Sequence, residues 1–242
     1  MKKKYCALAI VFIMFGLTTV AQERKFSGWA MSMNTIQLNP KIIIQFDAQL
    51  RSSNNLEKSE VLILRPLLGY MINTTTAVGL GIASIGSWKT IDEVRDRADE
   101  FRIWQQFNKI KKYGSLILQH RVRLEERWIP VVRVENGAFK KNGENFNSKL
   151  RYFTRLMIPM KKTEQFSTGF YGTIQNEFFF NTTGAAYVNN KFFDQLRTYG
   201  GGGYRVNKLV DFELGFMYQY VEGSGKGYTA NNILQLSTFL RL

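Results

Sequence analysis

Hydrophobic and polar residues alternate with a period of two along most of this chain. In Ile42–Arg51 (IIIQFDAQLR) the even positions Ile42, Ile44, Phe46, Ala48 and Leu50 are all apolar, whereas Ile43 is the one apolar residue among the odd positions. Asp211–Tyr220 repeats the pattern, with Phe212, Leu214, Phe216, Tyr218 and Tyr220 set against Asp211, Glu213, Gly215, Met217 and Gln219. In Leu116–Glu125 the two sets are Leu116, Leu118, His120, Val122, Leu124 and Ile117, Gln119, Arg121, Arg123, Glu125. Such alternation marks strands with two unlike faces. Runs of about ten residues exceed the ~5–6 typical of soluble strands and match the ~9–11 that cross a bilayer at a tilt.

Eleven runs of this kind follow the chain: Phe26–Thr35, Lys41–Ser52, Glu60–Asn73, Ala77–Trp88, Asp99–Ile110, Gly114–Trp128, Lys149–Met160, Phe166–Asn181, Phe193–Val206, Val210–Glu222 and Asn232–Leu242. No helical period competes, and Ile91–Ala98 is too charged for more than a loop or a single turn. The connections alternate in length. Asn73–Thr76, Lys111–Tyr113, Lys161–Gln165 and Asn207–Lys208 are short, while Lys89–Ala98, Pro130–Ser148, Asn181–Phe192 and Glu222–Asn231 are long. Short turns at one end and long loops at the other are the outer-membrane barrel pattern, with the short turns periplasmic and the long loops extracellular. Lipid demands closure, because an unpaired backbone group there costs several kcal/mol. The last ten runs satisfy it as an even, all-antiparallel, up-and-down barrel. Phe26–Thr35 then has three placements: in the lumen, at a seam, or beside a further strand hidden in Pro130–Ser148, which would raise the count to twelve. Pro40, Pro130 and Pro159 fall at strand ends, and Pro66, inside a run, predicts a bulge or an end.

The charged residues choose the face. On the polar sides of the runs lie Asp47, Arg51, Arg65, Glu100, Arg102, Arg121, Arg123, Glu125, Arg127, Arg151, Arg155, Glu177, Arg197, Arg205, Asp211 and Glu213, in which arginine predominates. Guanidinium forks suit confined pairing with carboxylates. The Arg/Glu side therefore faces the bore and the Leu/Ile/Phe/Tyr side faces lipid, with Tyr70, Trp88, Trp128, Tyr152, Tyr218 and Tyr220 placed as interfacial girdles.

Residues 1–21, MKKKYCALAIVFIMFGLTTVA, have the three-part form of a cleaved secretory signal: Lys2–Lys4, an apolar run from Tyr5 to Leu17, and small residues at Thr19 and Ala21. The apolar run is too short to span a bilayer as a helix. Cleavage leaves a single barrel domain over residues 22–242, without Cys6, carrying 30 basic and 19 acidic residues and a net charge of +11.

Of the 242 residues one is histidine and one is cysteine, which removes Cys/His zinc clusters and ties any Ser-His-acid triad to His120. His120 shares the apolar side with Leu118, Val122 and Leu124, opposite Glu125 and Ser115, which suits an interfacial side chain better than a base. Gly200–Gly203 lacks the Gly-Lys-Ser/Thr ending of a phosphate loop and either permits a sharp bend or makes room for a large neighbour, Tyr199 and Tyr204 flanking it. The cationic residues are spread over separate strands rather than gathered in one patch, which argues against a nucleic-acid partner. No cofactor or metal is expected.

The stretches EFRIWQQ from Glu100, HRVRLEERW from His120, KLRY from Lys149 and QLRTYGGGGY from Gln195, together with Trp29, resemble an uncharacterised family of outer-membrane β-barrel proteins from Bacteroidota, a domain of unknown function. Its most specific element is Arg121-x-Arg123-Leu124-Glu125-x-Arg127. The resemblance implies a barrel in the outer membrane of a Gram-negative bacterium and implies no activity.

The expected site is a lumen charge network of Glu100, Arg102, Arg121, Arg123, Glu125, Arg127, Arg151, Arg155, Glu177, Arg197 and Glu213. It is either a structural ion-pair ladder or the constriction of a narrow, porin-like channel for small anionic solutes. The protein is read as non-enzymatic. An outer-membrane lipid-modifying hydrolase using His120 and a soluble periplasmic ligand-binding barrel are the alternatives. Expected partners are outer-membrane lipid and lipopolysaccharide, the latter at Lys140, Lys141, Lys191 and Lys226; the oligomeric state is left open.

Overall fold

Strands with one polar and one apolar face can hide one face completely by closing on themselves. In the computed structural model, which describes residues 22–161 and 166–242, they do so. The expected signal segment lies outside the described residues. Eleven strands among the described residues form one closed barrel: β1 (Gln22–Gln37), β2 (Ile42–Ser52), β3 (Ser59–Asn73), β4 (Thr76–Ile91), β5 (Val94–Tyr113), β6 (Leu116–Glu135), β7 (Ala138–Pro159), β8 (Gly169–Thr183), β9 (Phe193–Arg205), β10 (Val210–Glu222) and β11 (Tyr228–Arg241). Every run of alternation seen in the sequence is a strand.

The expectation of ten strands, or twelve, is corrected by the seam. β1 is a wall strand, antiparallel to β2 and parallel to β11 along a ladder from Gln22↔Tyr228 to Thr35↔Arg241. All the other neighbours are antiparallel. Closure requires only that both edges find partners. Parity is imposed by an all-antiparallel wall, and one parallel ladder lifts it. Backbone bonds from Gln37 N–H to the Leu242 carbonyl and from Leu242 N–H to the Thr35 carbonyl, both 2.8 Å, fasten the seam's end.

Two of the four expected long loops are strand instead. Lys89–Ala98 and Pro130–Ser148 continue β4–β5 and β6–β7 outward as paired hairpins, so that β5, β6 and β7 reach 20, 20 and 22 residues. Their tips are two-residue turns with positive φ at both central positions, Asp92-Glu93 and Asn136-Gly137, the geometry that matches strand twist. Asn181–Phe192 and Glu222–Asn231 do contain loops, though β11 begins already at Tyr228. The connection from Pro159 to Gly169 lies partly outside the described residues.

Pro66 causes neither a bulge nor an end. It pairs with Phe46 in unbroken β2–β3 register, while the β3–β4 ladder skips from Leu64↔Ser84 to Leu67↔Gly81 without a shift. The missing N–H removes bonds on one side only. Pro130 lies within β6 rather than at its end, beside a register shift towards β7.

The faces follow the pleat. Leu68 is 59% exposed, Ile174 53% and Leu214 54%, while the side chains that alternate with them are covered. The long-hairpin end holds the tips at Asp92 and Asn136, and the short-turn end holds Gly114, Asn207 and Leu242.

Candidate functional site: a charged interior with a cavity at one end

Ion pairs that skip strands locate the charged side chains. Arg121 on β6 donates to Glu177 on β8 at 2.9 Å, Arg155 on β7 to Glu213 on β10 at 2.5 Å, and Lys149 on β7 to Asp194 on β9 at 2.5 Å. Non-neighbouring strands can meet in this way only across the bore. All eleven residues singled out in the sequence project into it, and the contacts divide them into linked groups.

Glu125, 1% exposed, is the hub. Its carboxylate accepts from Arg102 at 3.1 Å, Arg123 at 3.4 Å and Arg151 at 2.5 Å. Glu100 accepts from Arg102 at 2.6 Å and from Arg127 at 2.7 and 3.1 Å. Glu177 is shared by Arg121, Arg151 at 2.6 Å and, at 3.8 Å, Arg197. Arg155 and Glu213 stand apart from this cluster as a bidentate pair. Aromatic faces support the guanidinium groups: Arg123 over Trp104 at 4.8 Å, Arg151 over Phe179 at 4.6 Å and Arg121 over Phe153 at 4.5 Å.

Sequence reasoning missed the amide layer on the long-hairpin side. Arg127 donates to Asn147, Asn147 to Asn181, and Asn181 to Asn189, which also donates to Asp194. The strand parity of Lys149, Asn147 and Asn181 carried a signal for it. Asn189 sits in a loop and gave none.

Tyr171 and Tyr199 cover the wall at the glycine run. A Cβ on Gly201 would stand 2.5 Å from the Tyr199 hydroxyl and 2.8 Å from the Leu214 carbonyl, and one on Gly203 or Gly215 would enter a tyrosine ring. The run therefore makes space for Tyr199, as its pattern suggests. The second ring is Tyr171 from β8, not Tyr204, which packs outside on Phe170.

Towards the short-turn end the bore opens into a cavity of about 520 Å³. Arg51, Arg65, Arg121, Arg151 and Arg197 lie at its inner side, methionines and aromatic rings along its wall, and Thr74, Thr75 and Leu242 at its rim.

The family described as "Protein of unknown function (DUF2490)" matches residues 26–230. The chain belongs to it. This DUF2490 chain is 24% identical over 196 residues to an uncharacterized protein of Methylorubrum extorquens, covering 81% of this chain and 78% of that one. Among solved structures it is similar to the NanC porin, with a TM-score of 0.48 and 10% identity over 85% of this chain and 93% of the other.

Two remaining groups of the DUF2490 barrel lie outside the bore. His120 faces outward, its Nδ1 2.9 Å from the Tyr152 hydroxyl and its ring stacked on that tyrosine. Of the lysines expected in long loops, Lys140 and Lys141 lie in β7, where they meet Glu135 at 2.8 Å and Glu144, and Lys191, between β8 and β9, meets Glu222 and the Gly225 carbonyl. Beyond the barrel, Asp96 accepts the Phe139 amide at 2.9 Å and the Arg97 amide at 2.7 Å. These backbone bonds hold its carboxyl below the usual aspartate range.

Proposed function

We propose that the protein is a non-enzymatic outer-membrane β-barrel whose Arg/Glu-lined lumen is a structural filling, closed at rest. The observation that carries this reading is the inverted polarity of the wall. Leucine, isoleucine and phenylalanine are exposed around the outside while arginines and glutamates are buried within, the arrangement lipid favours and water opposes. A soluble ligand-binding barrel has the reverse polarity. A hydrolase built on His120 lacks support, because among the described residues the hydrogen-bond partner of His120 is Tyr152.

Export through a cleaved signal and lipid as the partner of the outer band belong to the same reading, as does a Bacteroidota-type outer membrane. The long hairpins then face the cell exterior. Lipopolysaccharide phosphates meeting Lys140, Lys141 or Lys191 there have to displace the acids those lysines already hold.

The porin-like form of the reading requires the network around Glu125 to part. The mature chain in detergent should migrate differently on a gel with and without boiling, and should give a closed or nearly closed trace in a planar bilayer. An Arg121→Gln/Arg123→Gln double variant should raise conductance if the guanidinium groups block the bore. A mature chain that stays soluble without detergent overturns the membrane assignment. A steady anion-selective current from the native protein replaces the filled barrel with the channel.

A further inference from the structure

The cavity at the short-turn end is charged in a way that its own residues do not balance. Among the described residues eight arginines line it against three acids, Asp47, Glu177 and Asp211, and two of the eight, Arg155 and Arg151, also pair with Glu213 and Glu125 behind the wall. Each acid is already taken: Asp47 by Arg65, Glu177 by Arg121, Arg151 and Arg197, and Asp211 by Arg205 and Arg241. Arg51 has no carboxylate partner among the described residues. Its guanidinium lies 3.7 Å above the Trp29 ring and donates to the neutral Gln49 amide oxygen at 2.7 Å. Arg197 approaches the same ring at 5.0 Å. Arg65, nine-tenths buried, has an Nε that meets no partner among the described residues. Buried charge is costly until paired, and Arg51 holds such a charge at the inner side of the cavity, which Arg65 and Arg197 also line.

The remainder of the wall is of a different character. Met31, Met33, Met71, Met157, Ile117 and Phe153 lie along it on the way to the rim. Thioethers are flexible and polarisable and accommodate hydrocarbon of varied shape. The volume is within the ~300–1,000 Å³ range of small-molecule pockets.

We infer that this cavity binds an amphipathic organic anion, its acidic head placed among Arg51, Arg65 and Arg197 and its hydrocarbon body against the methionine wall, entering from the short-turn end. The inference deepens the filled-barrel reading by giving the hollow half an occupant, and only its direction of entry rests on that reading.

The test uses the full mature chain in a neutral maltoside detergent, after a gel has shown that boiling shifts its migration. Calorimetric titration compares octanoate with acetate, which has the head alone, and with octan-1-ol, which has the tail alone. Octanoate should bind at least about tenfold more tightly than either. Arg51→Gln leaves no acid unpaired and should weaken octanoate about tenfold. Met33→Ser should weaken octanoate about threefold and leave acetate unchanged. Hexadecanoate identifies the source: tighter binding than octanoate assigns the ligand to the lipid pool, weaker binding to soluble acids, and both support the site. The inference is overturned if octanoate binds no better than acetate, or if Arg51→Gln binds it like the native chain, in protein that keeps the gel shift. Loss of the gel shift in the native chain instead overturns the barrel-in-membrane reading and leaves the titration to be judged by itself.

Discussion

At the long-hairpin end of the bore three acids, Glu100, Glu125 and Asp194, face four bases, Arg102, Arg123, Arg127 and Lys149, and an amide layer of Asn147, Asn181 and Asn189 completes their bonds. At the short-turn end, among the described residues, eight arginines around a cavity share four carboxylates, Asp47, Glu177, Asp211 and Glu213, with Arg151 reaching Glu125 as well. Both halves are built from the same strands by the same alternation. They differ in how nearly acids and bases are matched. Matched ions draw together and fill the space, and their hydrogen bonds cover each carboxylate. Mismatched guanidinium groups repel one another and stack on aromatic faces instead, as Arg51 does on Trp29, and the space between them stays open.

The largest expected effect breaks the matched half. Glu125→Gln removes the carboxylate that Arg102, Arg123 and Arg151 share. Removing one member of a buried ion cluster leaves uncompensated charge, and a loss of about 3–5 kcal/mol should follow. Arg51→Gln, in the mismatched half, strands no acid and should cost about 1 kcal/mol or less. Urea unfolding of the two variants in lipid vesicles measures the contrast. Equal losses would mean that the halves are held in the same way, and the distinction drawn from charge matching would fail.

A smaller effect tests the packing of the wall at the glycine run. Gly201 faces inward under Tyr199, whereas Gly200, next in the chain, has open space where a Cβ would go. Overpacking of a well-filled site costs about 1–3 kcal/mol. Gly201→Ala should lose stability in that range, and Gly200→Ala should stay within about 0.5 kcal/mol of the native chain. A neutral Gly201→Ala would show that the tyrosine can slide off the wall.

What the sequence made legible was local. Period-two alternation marked all eleven strands, because a pleat writes its two faces into every second residue. Parity and seam were not legible. The parallel pairing of Gln22–Thr35 with Tyr228–Arg241 joins opposite ends of the chain, and nothing within either segment announces its partner. The outward hairpins were half legible. Asn136-Gly137 is a recognisable two-residue turn signal, but polar residues on both faces of Lys140–Asn145 hid the strand around it. In the bore, the inward charges could be read from strand parity. Their division into a filled half and a hollow half could not, because it depends on which strand-skipping partners meet, as Arg155 and Glu213 do.

The smallest effect lies beyond both halves, where the two hairpins touch. Asp96 on β5 accepts the Phe139 amide of β7, tying one projecting hairpin to the other. Its carboxyl is held below the ordinary value by that bond and by the Arg97 amide, so the ionised form is the one that folding favours. The contribution is therefore complete above the ordinary aspartate range, near pH ~4, and is lost as the pH falls through the lower value in the folded protein. Hydrogen exchange at the Phe139 amide should show protection at pH 6 that declines below that range, once the intrinsic exchange rate is divided out. Asp96→Asn keeps an acceptor oxygen without a titrating group, and should flatten the pH dependence while leaving urea stability of the barrel unchanged. If protection at Phe139 falls in step with the amides around Glu125, the hairpins and the filled bore open as one unit. A decline confined to Phe139 makes the hairpin contact a separate, weaker layer above the barrel.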